Sequence, residues 1–406
     1  ALHDPFKAME ETGIKIHSRG NIAFKVNKAY GDIHAGFKNA DIIIENRYRT
    51  SKQKHAALEP YGTCSAHYQS NGTLTVYSST QLPHWSRHYL AGALELPLNK
   101  VRVIKPPTGG SFGGRCGLIH GLEVMCSWLS RRTGRPVRMS FTREEDFIAT
   151  ETRHPMTISM KTGATRDGII TANEVEIVSD VGGYGTHYIG VIADCLSTGV
   201  GLYKIPNYRF SATAVFTNKS PGGALRGYGN PQMNFAQESQ MDIMAEKLAM
   251  DPLELRLKNY RRLGEIDPVL NEEIRSNGLK ECLEKGAASS GWEKKRRQKP
   301  IKGTRKRGIG LSIMLHGTGA GKALPDPAAA TVMINADGSV NLVTAAADEG
   351  QGNRTVLAQI ASETLGIEFD KISVSETDTE TTPLDCGTHG SRQAYSGGLA
   401  VKAAAT

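Results

Sequence analysis

The stretch Pro106-Pro107-Thr108-Gly109-Gly110-Ser111-Phe112-Gly113-Gly114-Arg115 constrains the fold of this chain more than any other. It follows a β-like run, Val101 to Ile104, and precedes a helix-like run, Gly117 to Arg131. Glycine at four of the six positions 109–114 lets backbone N–H groups approach a ligand and adopt positive φ without a Cβ penalty. A helix start just beyond adds unpaired N–H donors and a positive dipole end, which suit an oxyanion or phosphate. No Lys-Ser/Thr follows the last glycine, so this is not a Walker loop. The Gly-Gly-x-x-Gly-Gly register also differs from the Gly-x-Gly-x-x-Gly of dinucleotide folds. Taken alone, the stretch is equally a tight strand-to-helix turn.

A chain of 406 residues has room for two or more domains with sizeable cores. Hydrophobic and charged contents of 39% and 22% are those of a globular protein. No apolar run approaches the ~20 residues that span a bilayer. The net charge of +8 is concentrated between Glu293 and Arg307, where nine basic residues accompany one acidic residue. The rest is close to neutral, and no aromatic residue interrupts this segment as a base-stacking platform would require. Nucleic-acid binding is therefore not expected, and the segment reads as a solvated linker or an electrostatic docking site for a partner subunit. The six cysteines are scattered without a C-x-x-C pair, which leaves no iron–sulfur or zinc-ribbon pattern. Buried free thiols and a cytoplasmic location are expected.

Residues 1–22 read as an incoming linker, 23–292 as a first domain, 293–307 as the basic linker and 308–406 as the start of a second, incomplete domain. Asp41 to Glu45, Leu74 to Tyr77 and Val101 to Ile104 are strand-like in composition. The turn Thr165-Arg166-Asp167-Gly168 predicts a hairpin between strands at Met156 to Lys161 and Ile169 to Val178. Helical periodicity covers Gln232–Leu248, Pro252–Leu257 and Asn353–Leu365. Gly308 to Leu315, Ala330 to Ile334, Val340 to Val343 and Ile372 to Val374 read as strands. The predicted class is α+β.

Three further polar, Gly-rich clusters precede helices: Pro221 to Gln232, containing Arg226; Asp348 to Asn353, containing Gly350-Gln351-Gly352; and Gly387 to Arg392, containing Thr388, Ser391 and Arg392. Four such loops point to an extended anionic ligand held by backbone N–H groups and Arg forks. With Ser79-Thr80-Gln81, Gly109 to Arg115, Ala224 to Gln232 and Gly350-Gln351-Gly352 in this order, the chain resembles the molybdopterin-binding large subunit of the xanthine oxidase family of molybdenum hydroxylases. The resemblance runs from about residue 25 to the end. Arg153-His154-Pro155-Met156 resembles bacterial members acting on purines and related heterocycles.

The resemblance implies two mixed α/β domains clasping a molybdenum–molybdopterin cofactor, in bacteria usually molybdopterin cytosine dinucleotide. It implies that Gln81 hydrogen-bonds an oxygen ligand of the metal, and that Gly110, Phe112 and Gly113 pass the metal, with Phe112 near the substrate. Arg226 would bind or polarise substrate, beside Cys116, where purine-hydroxylating members carry a Glu. Gly350, Gln351, Gly352, Thr388, Ser391 and Arg392 would contact the pterin and its tail. No side chain is expected to ligate the metal, which the cofactor's dithiolene holds. The chemistry implied is hydroxylation of an electrophilic carbon, in a purine-like heterocycle or an aldehyde, with oxygen from water. Electrons would leave to an iron–sulfur subunit and a flavoprotein carrying FAD. The family's general-base Glu is expected on the remaining part of the large subunit. The alternative is a non-catalytic molybdopterin-binding or assembly module.

Overall fold

The computed structural model describes residues 1–406 except 11–12, 63, 117–120, 269–270, 298–303 and 320–324. Its largest sheet has five strands in the order Ile22–Tyr30, Tyr208–Phe216, Ile170–Gly182, Met156–Ala164 and Ile42–Arg49. The expected hairpin joins the third and fourth of these, and Gly168 at φ +86° closes its turn. Met156, Ile158 and Met160 alternate onto one buried face, as a period of two requires. The helices Tyr188–Gly201 and Asn230–Lys247 cover the core with Val191, Ile192, Met233, Ala236 and Met244.

A second sheet of four strands runs Val101–Ile104, Leu74–Ser78, Cys64–Tyr68 and Val137–Met139. Its first two strands are parallel, and the helix Pro83–Ala93 lies between them in the chain. With the helix Leu122–Thr133 it buries Leu74, Val76, Leu90, Val103 and Cys126. The beginning of the helix expected from Gly117 lies outside the described residues. A third sheet, Ala330–Ile334, Val340–Thr344 and Ile372–Val374, packs on the helices Asn353–Leu365 and Gly398–Ala405 through Leu342, Leu357, Ala361 and Val401.

The second and third sheets meet at the strand that feeds the Gly-rich loop. Ile104 bridges to Asp378, Lys105 N donates to Thr377 O at 2.9 Å, and Thr379 N donates to Val103 O at 3.0 Å. Arg102 forks onto Asp378 across the same seam. This junction sets the loop opposite the second half of the chain.

Two expectations need correction. The described residues of the segment 1–22 pack on the first sheet: Pro5–Met9 is a helix capped by Asp4, Leu2 and Ala8 pack on Val178 and Val215, and Leu2 N donates to Asn218 Oδ1 at 2.7 Å. Gly308 to Leu315 does not form a strand. Leu311 and Ile313 instead find apolar partners on the first core, and Ile313 N donates to Glu238 Oε2 at 2.8 Å. The boundary expected at residue 293 falls within the short helix Trp292–Arg296, and 298–303 of the basic stretch lie outside the described residues.

Candidate active site

The Gly-rich loop is held from behind by Glu59. Its carboxylate accepts from Gly109 N and Ser79 Oγ, both at 2.7 Å, and pairs with Arg115 at 3.4 Å. Arg115, almost fully buried, donates back to Gly110 O at 2.9 Å and Glu59 O at 3.0 Å. Gly110 and Gly113 take φ +93° and +102°, and Phe112 between them takes φ +57°, a conformation that disfavours a bulky side chain. The Phe112 ring is left half exposed while its backbone is pinned. Such strain persists only where the surroundings overdetermine it.

Gln81 follows the strand Leu74–Ser78 and is buried. Its Oε1 accepts from Ser111 Oγ and from Gly113 N at 3.2 Å, while its Nε2 donates to Thr388 O at 2.5 Å. A backbone N–H on one side and a carbonyl on the other fix which end of the amide is which. Thr388 N returns a bond to Gln81 O at 2.9 Å. Gly387 permits this approach, since a Cβ there would lie 2.5 Å from Gln81 O.

The Arg226 loop docks on the same spot. Arg226 N donates to Phe112 O at 2.8 Å, and a Cβ on Gly113 would stand 2.9 Å from Ala224 O. His55 Nε2 donates to that Ala224 carbonyl at 2.7 Å, and burial lowers the ring's pKa to about 4, leaving it neutral. The Arg226 side chain is exposed. Tyr228 stands at φ +58°, with its hydroxyl 2.7 Å from His187 Nδ1. Cys116 is buried, which pushes its thiol well up, with the charges of Glu151 and Glu349 adding to the effect.

The two loops of the second half differ from expectation in their use of charge. Asp348 Oδ1 accepts from Gly350 N at 2.8 Å and Gly352 N at 3.3 Å, so a carboxylate of the chain already occupies that helix start. Gln351 is exposed, and its Oε1 accepts from Glu349 N at 2.7 Å. Thr388 Oγ1 donates to Ala347 O at 2.5 Å and is 3.2 Å from Asn353 Nδ2, which joins the loops at 347–353 and 387–392. Ser391 is exposed at φ +56°. Arg392 is fully buried and pairs with Asp326 at 2.5 Å and Asp385 at 2.7 Å, with further bonds to Gly387 O and Pro327 O. The guanidinium expected to face a ligand is turned inward and anchors the loop.

Sequence reasoning took His55 as structural, as it is found, but gave no role to Glu59, Arg115 or Asp385, although His55 and Glu59 stand in a conspicuous His-Ala-Ala-Leu-Glu-Pro run. It also missed Lys105 and Glu349, a buried pair at 3.8 Å. Burial dominates both, lowering the lysine and raising the carboxyl to about 7. Among the described residues no three His, Cys, Asp or Glu side chains converge as a metal-ligand set. None of the described helices is long and apolar enough to cross a membrane.

Gln81, the Gly110–Gly113 loop, the Arg226 loop and Thr388 are therefore brought together, and glycine cradles let their backbones touch. Fold and loops define a molybdopterin-binding protein: residues 16–260 and residues 285–406 each match a family described as a molybdopterin cofactor-binding domain. The chain belongs to the xanthine oxidase family of molybdenum hydroxylases, as part of a large subunit. It is 35% identical over 404 residues to the xanthine dehydrogenase molybdenum-binding subunit of Escherichia coli O157:H7, covering 99% of this chain and 53% of the relative. It is 40% identical over 297 residues to the nicotinate dehydrogenase large molybdopterin subunit of Eubacterium barkeri, covering 71% and 68%. The solved aldehyde oxidoreductase from Desulfovibrio gigas superposes with a TM-score of 0.88 at 29% identity, over all of this chain and 44% of that one. The chain thus spans about half the length of the xanthine dehydrogenase relative.

Proposed function

We propose that this chain forms the cofactor-binding part of a hydroxylase that oxidises an electrophilic carbon, in a purine-like or other N-heterocycle or an aldehyde, with oxygen from water. The observation that carries the reading is the convergence of Gln81, Phe112 and Arg226, linked by Gly113 N to Gln81 Oε1 and Arg226 N to Phe112 O. The residues suit the cofactor. Gly110, Phe112 and Gly113 would hold its metal end, with the Gly350-Gln351-Gly352 and Thr388–Ser391 loops along the pterin and a cytosine dinucleotide tail. Non-glycine residues at left-handed φ stand in the Gly-rich loop (Phe112), the Arg226 loop (Tyr228) and the 387–392 loop (Ser391), and backbone strain of this kind, held by the surrounding chain, clusters at ligand sites. When bound, the molybdenum cofactor supplies a water-derived oxygen nucleophile and a two-electron acceptor.

The chain's own residues bind and orient. The Gln81 amide, locked by Ser111, Gly113 and Thr388, would present a fixed dipole beside the metal. Arg226, exposed and free of a carboxylate partner among the described residues, would stabilise negative charge developing on the substrate. Phe112 would supply an apolar face, and Cys116, buried with its N donating to Gly113 O at 3.2 Å, closes the same loop. The proton acceptor would be a Glu of the remaining part of the large subunit, and electrons would pass to iron–sulfur and flavin partners. The test is Gln81→Ala and Arg226→Ala in the assembled enzyme. Each should lower turnover at least tenfold, about 1.4 kcal/mol. Wild-type rates in both would overturn the assignment, as would protein from the native host purified without molybdenum.

A further inference from the structure

The Arg153-His154-Pro155 segment takes no part in the reading above, yet Arg153 lies directly behind the Arg226 loop. It is only 7% exposed. Its Nε donates to Gln53 Oε1 at 3.1 Å, and its Nη1 to Gln232 Oε1 at 3.0 Å and Tyr228 O at 3.2 Å. Nη2 donates to Arg226 O at 2.8 Å. Every one of these acceptors is neutral. Three other deeply buried arginines are compensated by carboxylates: Arg115 pairs with Glu59, Arg256 with Glu238 and Asp242, and Arg392 with Asp326 and Asp385, whereas Arg261, equally buried, bonds the carbonyls of Val200 and Ile266. Arg153 pairs with no carboxylate among the described residues, and burial lowers its pKa with no acidic group offsetting the effect.

A buried charge without a counter-ion is costly, so this placement requires a return elsewhere. The carbonyls it grips belong to residues on either side of Gly227 at φ +87°, and Tyr228 itself stands at φ +58°. A planar fork is suited to holding two carbonyls of a strained turn at a fixed separation, which an ammonium cannot do. We infer that Arg153 is the positioning residue for Arg226: by drawing the carbonyls of Arg226 and Tyr228 inward, it turns the Arg226 side chain outward toward the substrate. This rests on the reading of Arg226 as the substrate-binding arginine.

The test compares Arg153→Gln, Arg153→Lys, Arg226→Ala and the double variant R153Q/R226A in the assembled holoenzyme. The substrate is whichever of xanthine, nicotinate or benzaldehyde the wild type oxidises. R153Q should lower kcat/KM at least tenfold with molybdenum content unchanged, and the double variant should fall no more than about twofold below R226A. Amide hydrogen exchange over residues 225–230 should rise at least tenfold in R153Q, with the five-stranded sheet unaffected. R153K, which keeps the charge, should show the same exchange increase and serves as the probe if R153Q fails to fold. Multiplicative losses in the double variant, or unchanged exchange in both single variants, would overturn the proposal. Normal activity in R226A would instead overturn the role of Arg226 in substrate binding, and with it what Arg153 positions.

Discussion

Gly113→Ala probes the contact on which the site depends. Gly113 stands at φ +102°, and a Cβ added there would lie 2.9 Å from Ala224 O and 3.2 Å from Leu225 Cα. Ordinary carbon contacts lie at about 3.5 Å or more, so the loops must separate by about 0.5 Å, and the obstructing atoms are mostly backbone. The strained φ adds about 1–3 kcal/mol. Separation also stretches two bonds, Gly113 N to Gln81 Oε1 and Arg226 N to Phe112 O, which connect the three proposed site residues. Misplacement by 1 Å can cost roughly a hundredfold in rate, so half that distance should lower kcat/KM at least about tenfold. The assay is steady-state hydroxylation by the assembled enzyme, normalised to molybdenum. Gly92→Ala is the control: it lies within the helix Pro83–Ala93 with nothing within 4 Å of the new Cβ, and should be neutral or stabilise by about 0.5–1 kcal/mol. A kcat/KM for Gly113→Ala within twofold of wild type would refute the claim that this loop contact holds the site.

Arg392→Ala should destabilise the chain by about 3–5 kcal/mol, because it strands the buried Asp385 carboxylate, and the loss would be read as a lowered Tm. The Glu349 carboxyl is raised from an ordinary 4.5 to about 7, so the folded state binds more protons between those pH values. Its contribution to stability is present below about pH 4.5 and is lost as pH rises through 7; Glu349→Gln should flatten that decline, measured by chemical denaturation from pH 4 to 8. Cys282 is exposed while Cys64, Cys116, Cys126, Cys195 and Cys386 are buried, so a thiol reagent should label Cys282 in the native protein and all six only after unfolding.

Local features were legible in the chain. The helix Asn353–Leu365 and the strands Val101–Ile104 and Ile372–Val374 appear where periodicity and β-branching put them, because a helix or strand face is written in residues a few positions apart. The Gly-rich loops were legible for the same reason, since positive φ is a local property of glycine. By contrast, Gly308 to Leu315 had strand composition but no strand partner, and only the packed first core explains where it went. Charge placement was likewise undetermined by sequence. Arg392 and Arg226 both stand in polar loops before helices, yet Asp326 and Asp385 draw the first inward, while the second is left exposed with its backbone carbonyl held by Arg153. Gln81 meets Thr388 across 307 residues of chain. The sequence by itself determined which residues could form close-approach loops and the family to which they belong. Which carbonyl or carboxylate each side chain meets is a long-range matter, and only the tertiary structure decided it.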